Sequence, residues 1–261
     1  MRAKTGVMTD DDILLACALA DAAGAAIRPF FRAPFAIETK PDASPVTQAD
    51  QAAERAIRAL LAVHAPDDGI VGEEYGRERD DAERVWVLDP IDGTRAFIAG
   101  RPIFGTLIAL LERGRPVLGI IDQPISGERW VGAAGRPTTL SGKPVTTRVC
   151  PALPHALFAT TAPWLFDAQG VQAYERLRAD TRDTILGGDC YNYGLLAAGH
   201  GDIILEQGLQ LYDFAALVPV VEGAGGLMRD WQGRPLDADS HGAVIAIGDP
   251  ALLDPVLTLI A

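Results

Sequence analysis

Asp89 and Asp92 stand three residues apart where the apolar run Val85-Trp86-Val87-Leu88 gives way to Asp89-Pro90-Ile91-Asp92-Gly93-Thr94. Two carboxylates at that spacing, with the Ile91 carbonyl between them, suit a hard divalent cation, and the Thr94 hydroxyl arrives at the same place. Pro90 cannot continue a strand ladder, so the strand is expected to stop there and leave its oxygens around one point. Amides at Gly93-Thr94, where a helix could begin, would favour an anion such as phosphate. Upstream, Ile70-Val71-Gly72 runs into Glu73-Glu74 in the same way. So many carboxylates in one small volume repel unless cations neutralise them, which points to a pair of divalent metals. Because the donors are all oxygen, Mg²⁺ or Mn²⁺ fits better than zinc.

Two further acids fall at helix starts. Asp50 follows Ser44-Pro45-Val46-Thr47 and opens a helix whose apolar positions are Ala53, Ile57, Leu60, Leu61 and His64. Thr47 and Asp50 have the spacing of a capping box. Asp213 precedes Phe214, Leu217, Val218 and Val221 and has the form of an N-cap. Either acid can cap a helix and still face a metal site.

The elements that would hold these residues come in two styles. After a helix over residues 9–31, a strand over 35–40 and the helix after Thr47, strands are expected at 70–71, 84–88, 104–111, 116–122 and 128–133, with Gly114-Arg115 as a hairpin turn. The second half alternates: strand 157–160, helix 169–179, helix 189–198, strand 202–206 and helix 213–222. Ala243-Val244-Ile245-Ala246-Ile247 is a buried strand, and Asp249-Pro250 caps a last helix carrying Leu252, Leu253, Val256, Leu257 and Ile260. This pattern gives an α/β or α+β fold. Pro151 to Pro154 marks a joint between two intimately packed subdomains of one unit, about 1–150 and 151–261.

In order along the chain, Asp50 after Pro-Val-Thr, Gly72-Glu73-Glu74, Asp89-Pro90-Ile91-Asp92-Gly93-Thr94, and Tyr212-Asp213 before a helix ending Glu222-Gly223-Ala224-Gly225-Gly226 resemble the inositol monophosphatase family. The haloacid dehalogenase pattern is excluded, since it needs its carboxylates two residues apart before Gly-Thr. The resemblance implies a layered α-β-α-β-α sandwich and hydrolysis of phosphate monoesters by water activated at Mg²⁺. It implies Glu73, Asp89 and the Ile91 carbonyl as ligands of one metal, and Asp89, Asp92 and Asp213 as ligands of another. Thr94, hydrogen-bonded to Asp50, would orient the water and accept its proton, with Glu74 in support; Gly93 and Thr94 amides would cradle the phosphate. It also implies a homodimer.

Within that superfamily the details are more similar to the histidinol-phosphate phosphatase branch. Arg95-Ala96-Phe97-Ile98 follows Gly-Thr where inositol monophosphatases carry Thr-Asn-Phe, Gly187-Gly188-Asp189-Cys190-Tyr191 replaces a Gly-Ser-Ala stretch, and Tyr212 replaces Trp. L-histidinol phosphate brings an ammonium and an imidazole, so its pocket should supply acid and a flat aromatic surface. Asp189 and Glu206 are the candidates for the ammonium, and Tyr191, Tyr193 or Tyr212 for the ring. Asp189 also reads as an N-cap and the tyrosines as core. Arg95 could clamp phosphate or form a surface ion pair. Inositol monophosphate or another sugar or nucleotide phosphate is the alternative substrate, and a non-catalytic phosphate-binding protein is a more distant one.

Composition agrees. With 261 residues, 48% of them hydrophobic, the chain can bury a large core, and its net charge of −12 argues against nucleic-acid or anionic-membrane partners. Cys17, Cys150 and Cys190 form no Cys-x-x-Cys pattern, so reduced thiols in a cytoplasmic protein are expected. The four histidines show no ligand spacing. No targeting segment is evident, and no stretch reads as long and apolar enough to cross a bilayer.

Overall fold

A computed structural model describes residues 8–34, 37–39 and 45–261, without the side chains of 37–39 and 45–47. In chain order the elements are α1 (Asp10–Ile27), β1 (Ile37–Thr39), β2 (Pro45–Thr47), α2 (Gln48–His64), β3 (Gly69–Gly72), β4 (Gly76–Glu78), β5 (Arg84–Asp92) and α3 (Thr94–Ile98). Next come β6 (Gly105–Glu112), β7 (Arg115–Gln123), β8 (Glu128–Ala133), β9 (Thr139–Leu140), β10 (Lys143–Pro144), β11 (Leu157–Thr160), α4 (Ala168–Asp180) and β12 (Asp183–Leu186). The chain ends with α5 (Asp189–Ala197), β13 (Ile203–Glu206), α6 (Leu211–Phe214), α7 (Leu217–Gly223), β14 (Leu227–Asp230), β15 (Val244–Ile247) and α8 (Leu253–Ile260).

Two sheets carry the architecture. Eight strands run in the order β10-β9-β8-β7-β6-β5-β3-β4, and five in the order β12-β11-β13-β15-β14. Because successive strand residues face opposite ways, β5 sends Trp86 and Leu88 to one core and Val85 and Val87 to another. The first core lies under α1 and α2. The second lies between the sheets and includes Phe214, Leu217, Val220 and Val221 of α6 and α7. A third joins the five-stranded sheet to α4 and α8 through Phe158, Leu177, Ile245 and Val256. The layers therefore alternate α-β-α-β-α, as the resemblance implies.

Several expectations are corrected. The strand carrying Asp89 does not stop at Pro90: β5 continues to Asp92, which pairs with Gly105 after a register shift. The irregularity absorbs the missing N–H, and the Pro90 carbonyl accepts the buried Thr106 hydroxyl at 2.8 Å. The hairpin turn is Arg113-Gly114, both with positive φ (49° and 75°), so Arg115 is already in β7. The expected helix over 213–222 is two helices. Pro219 has no N–H for the Ala215 carbonyl, and the chain restarts at Leu217, where proline falls in the first turn. His64 is exposed rather than on the apolar face of α2. The capping role of Thr47 and the ends of the 35–40 strand lie outside the described residues.

Among the described residues one helical stretch, Asp10–Phe30, holds an 18-residue window of mean hydropathy 1.6 and is after all long and apolar enough to cross a bilayer by length and composition. In this fold its apolar face is spent elsewhere: Ala16, Leu19, Ala20, Ala23 and Ile27 are fully buried in the core shared with α2. Thr9 starts it with a capping box closed by Asp12.

Candidate active site

Of the carboxylates singled out in the sequence, Glu73, Asp89, Asp92, Asp189, Glu206 and Asp213 meet in one cleft of about 840 Å³. Its floor is the end of β5. Asp89 is 2% exposed, and Asp89, Asp92 and Asp213 each offer an oxygen within 4.8 Å of the others. Glu73 reaches the cleft from the end of β3, which runs parallel to β5, and its amide donates to the Leu88 carbonyl at 3.1 Å. Asp213 is not an N-cap. Gln210 occupies that position, and Asp213 closes its capping box by accepting the Gln210 N–H at 2.6 Å. One carboxylate thus caps α6 and faces Asp89 and Asp92.

Electrostatics of the cluster are those of too many negative charges. Burial, then the neighbouring Glu73, Asp92 and Asp213, pushes the Asp89 carboxyl well above the usual range. Burial, then Asp189 and Asp213, does the same to Asp92, although the Cys190 N–H donates to its Oδ2 at 2.6 Å. Asp89 Oδ1 is buried without a hydrogen-bond partner among the described residues. An orphaned buried oxygen beside mutually repelling carboxylates fits a divalent cation, whose charge satisfies both needs.

The turn after β5 places the remaining groups. Gly93 has φ 86° and begins α3, and the Thr94 hydroxyl donates to the Ile91 carbonyl at 3.1 Å. A Cβ on Gly93 would lie 3.0 Å from the Asp189 carboxyl, so the close approach as well as the left-handed backbone requires glycine. Asp189 is the first residue of α5, after Gly188 at the N-cap, and itself has φ 43°. Its carboxyl is raised to about 6 by burial, with Arg101 and Arg95 opposing. Glu206, 3% exposed at the end of β13, is raised to about 7 by burial, against the Thr161 N–H that donates to it at 2.6 Å.

Asp50, 1% exposed, and Glu74 are not among the residues of the cleft wall, whereas Arg95 and Gly93 are. Of the three tyrosines, Tyr193 and Tyr212 reach the cleft. Tyr191 is turned away: its hydroxyl donates to Glu128 at 2.6 Å and its ring packs edge-on against Trp130. Reading the sequence missed Glu54, a fully buried residue of α2 that accepts the Glu74 N–H at 2.8 Å and the Tyr75 N–H at 3.2 Å. It also missed Arg101, Thr161 and Trp164.

Two stacked sheets enclosing an oxygen-only cluster for divalent cations, beside a helix start, define a metal-dependent phosphomonoesterase. A model of the inositol monophosphatase family matches residues 9–257, and the chain belongs to that family. It is 50% identical over 231 residues to the chloroplastic bifunctional phosphatase IMPL2 of Arabidopsis thaliana, covering 88% of this chain and 67% of that protein. It is 37% identical to the histidinol-phosphatase of Mycobacterium tuberculosis, over 96% of this chain and 98% of that one. A solved inositol monophosphatase of Zymomonas mobilis matches with a TM-score of 0.90 and 62% identity, covering 96% of this chain and 98% of its own.

Proposed function

We propose that this chain hydrolyses L-histidinol phosphate to L-histidinol and phosphate with Mg²⁺ as its metal. The observation that carries the reading is the pair Asp189 and Glu206, set in the same cleft as Asp89, Asp92 and Asp213. Burial holds both carboxyls up, to about 6 for Asp189 despite Arg101 and Arg95 and to about 7 for Glu206, which only hydrogen bonds from Thr161 and Thr160 oppose. An ammonium on the substrate supplies a counter-charge, whereas an uncharged polyol supplies none. The histidinol-phosphatase name of the mycobacterial relative supports the same choice. The 62% identical Zymomonas mobilis protein, described as an inositol monophosphatase, supports the second reading, hydrolysis of an inositol phosphate.

Bound Mg²⁺ would supply Lewis acidity, lowering the pKa of water and balancing charge on the phosphate. In our reading Glu73, Asp89 and the Ile91 carbonyl form one donor set, and Asp89, Asp92 and Asp213 the other. Thr94, whose hydroxyl donates to the Ile91 carbonyl, and Asp50 would orient the attacking water and take its proton. The Gly93 and Thr94 amides and Arg95 bind the phosphate, Asp189 and Glu206 orient the leaving alcohol by its ammonium, and Glu74 supports the Glu73 turn. We assign the protein to the cytoplasm as a homodimer, in keeping with its three unpaired cysteines and its family.

Phosphate release with Mg²⁺ from L-histidinol phosphate and from myo-inositol 1-phosphate at matched concentrations decides between the readings. Preference for the first is expected; preference for the second would overturn the amine site and keep the metal site. Asp92→Asn is the control. It keeps side-chain size but removes a donor's charge, and losing the several kcal/mol of charge stabilisation a metal gives should cost roughly a hundredfold or more in kcat/KM. Normal turnover by a folded Asp92→Asn protein would sink the metal assignment.

A further inference from the structure

Trp164 is 75% exposed, while Trp86 and Trp130 are fully buried and Trp231 is partly buried. It is not a lone surface aromatic. With Leu165 at 45% and Leu186 at 47% exposure it forms an apolar stretch of the wall of the cleft that holds Asp189, Glu206 and the carboxylate cluster.

The segment that presents it is fastened to Glu206 and its neighbour at both ends. Before the turn, the Thr161 N–H donates to Glu206 Oε1 at 2.6 Å. After it, the Asp167 N–H donates to Gln207 Oε1 and Gln207 Nε2 donates to Asp167 Oδ2, each at 3.0 Å. Ala162 and Phe166 are buried on either side, with the Phe166 ring 6.2 Å from Tyr174 and 6.3 Å from Trp231. Between these anchors Pro163 opens a single 3-10 turn, Pro163–Leu165, and the indole is left over the cleft. Folding has therefore ordered this turn without covering its largest apolar side chain, at the wall of the cleft where a ligand can cover it.

We propose that Trp164 is a specificity-determining residue that takes the flat ring of the substrate's leaving alcohol, so that the cleft selects phosphate esters bearing an aromatic heterocycle beside an ammonium. The inference rests on the amine-bearing substrate proposed above. An indole covered by a planar ring gains buried area and offset or edge contact, and a protonated imidazole adds a cation–π contribution. An inositol ring presents hydroxyls around its rim and needs several polar partners, of which Trp164, Leu165 and Leu186 supply only the one indole N–H.

The test uses the Mg²⁺-loaded wild type, Trp164→Ala and Trp164→Phe with two esters: L-histidinol phosphate, and L-alaninol phosphate, which keeps the ammonium and lacks the ring. Trp164→Ala should lower the ratio of kcat/KM for the first over the second about tenfold, the equivalent of roughly 1.4 kcal/mol of lost ring contact, chiefly through KM. Trp164→Phe should recover most of that ratio. L-histidinol with inorganic phosphate should protect wild-type tryptophan fluorescence from acrylamide, because Trp164 is the most exposed indole. An unchanged ratio or an unprotected indole overturns the role of Trp164 alone. If light scattering shows that Trp164→Ala shrinks the assembly while the ratio holds, the apolar wall serves a second copy of the chain and the inference falls. A wild type inactive on L-histidinol phosphate overturns the parent reading, and this inference with it.

Discussion

Burial raises the Glu206 carboxyl to about 7, and only the Thr161 amide and weaker hydroxyl contacts pull it back. A carboxyl so poised is neutral over much of the range in which the substrate amine is charged, so recognition strengthens as Glu206 ionises. Asp189, held at about 6 between burial and the guanidiniums of Arg101 and Arg95, ionises first. For the wild type, kcat/KM on L-histidinol phosphate should therefore rise with pH through about 6 to 7. Glu206→Gln should raise KM and remove the upper part of that rise, while Asp189→Asn should remove the lower part. Comparing variants on one substrate cancels the substrate's own phosphate and imidazole titrations. Superimposable pH profiles for wild type and Glu206→Gln would eliminate Glu206 as the amine partner. At the same scale the three tyrosines named for the ring divide, since Tyr193 and Tyr212 line the cleft and Tyr191 does not. Tyr191 and Tyr193 stand on α5, where Tyr191 spends its hydroxyl on Glu128 and Tyr193 is 2% exposed, whereas the exposed indole sits in a one-turn segment with no periodicity to announce it.

Elements place the acidic side chains of the cleft, and two of them do so in ways a linear reading captures unequally. Asp-Pro-Ile-Asp-Gly-Thr is legible because its function is local: one strand end, one turn and one helix start hold all its donors. The continuation of β5 past Pro90 was not legible, since the compensating acceptor role of Pro90 depends on Thr106, sixteen residues away. Glu54 was hidden for the same reason. In sequence it is one charged residue in an amphipathic helix, four before Arg58, and nothing local shows that Gly72 packs against it so tightly that a Cβ there would fall 2.0 Å from its Oε1. Its carboxylate holds the Glu74 and Tyr75 amides and so shapes the turn that delivers Glu73. Glu54→Ala leaves the Glu74 and Tyr75 amides without their acceptor and should destabilise the fold by about 1–3 kcal/mol, while Arg58 keeps Glu78 and the Gly76 carbonyl. Glu54→Gln keeps an acceptor for the amides and should cost less, while weakening Mg²⁺ activation by displacing Glu73. Thermal melts and the Mg²⁺ dependence of turnover read the two effects separately; unchanged values in both would show that the turn holds itself.

Over the whole molecule, the acidic side chains of the cleft arrive from both sheets and from the helices between them: Glu73, Asp89 and Asp92 from the eight-stranded sheet, Glu206 from the five-stranded one, and Asp189 and Asp213 from α5 and α6. The layers thus converge on a volume that, without cations, pushes them apart. Asp89, Asp92, Asp189 and Glu206 all have folded-state carboxyls above their ordinary values of 3.8 and 4.5. With folded values raised, the native state binds more protons than the unfolded chain, so stability of the metal-free protein falls as pH rises above about 4. The fall continues through about 6 for Asp189 and about 7 for Glu206, and further for Asp89 and Asp92, which burial and repulsion hold well above the usual range. A cation that binds only the native state opposes this, adding about 2.7 kcal/mol at a hundredfold excess over Kd. At roughly 2–4 °C per kcal/mol that is a shift of about 5–10 °C. Melts in EDTA should accordingly show Tm dropping from pH 5 to pH 8. With millimolar Mg²⁺ the drop should shrink, so that the gap between the two curves widens with pH and closes toward pH 5, where protons replace the metal. Asp92→Asn should melt higher than the wild type in EDTA at pH 8 and gain less from Mg²⁺, since it removes one of the repelling charges and one of the donors together. Coincident wild-type melts with and without Mg²⁺ at pH 8 would mean that the carboxylates settle their repulsion within the protein, and the cluster would then have to be read as structural.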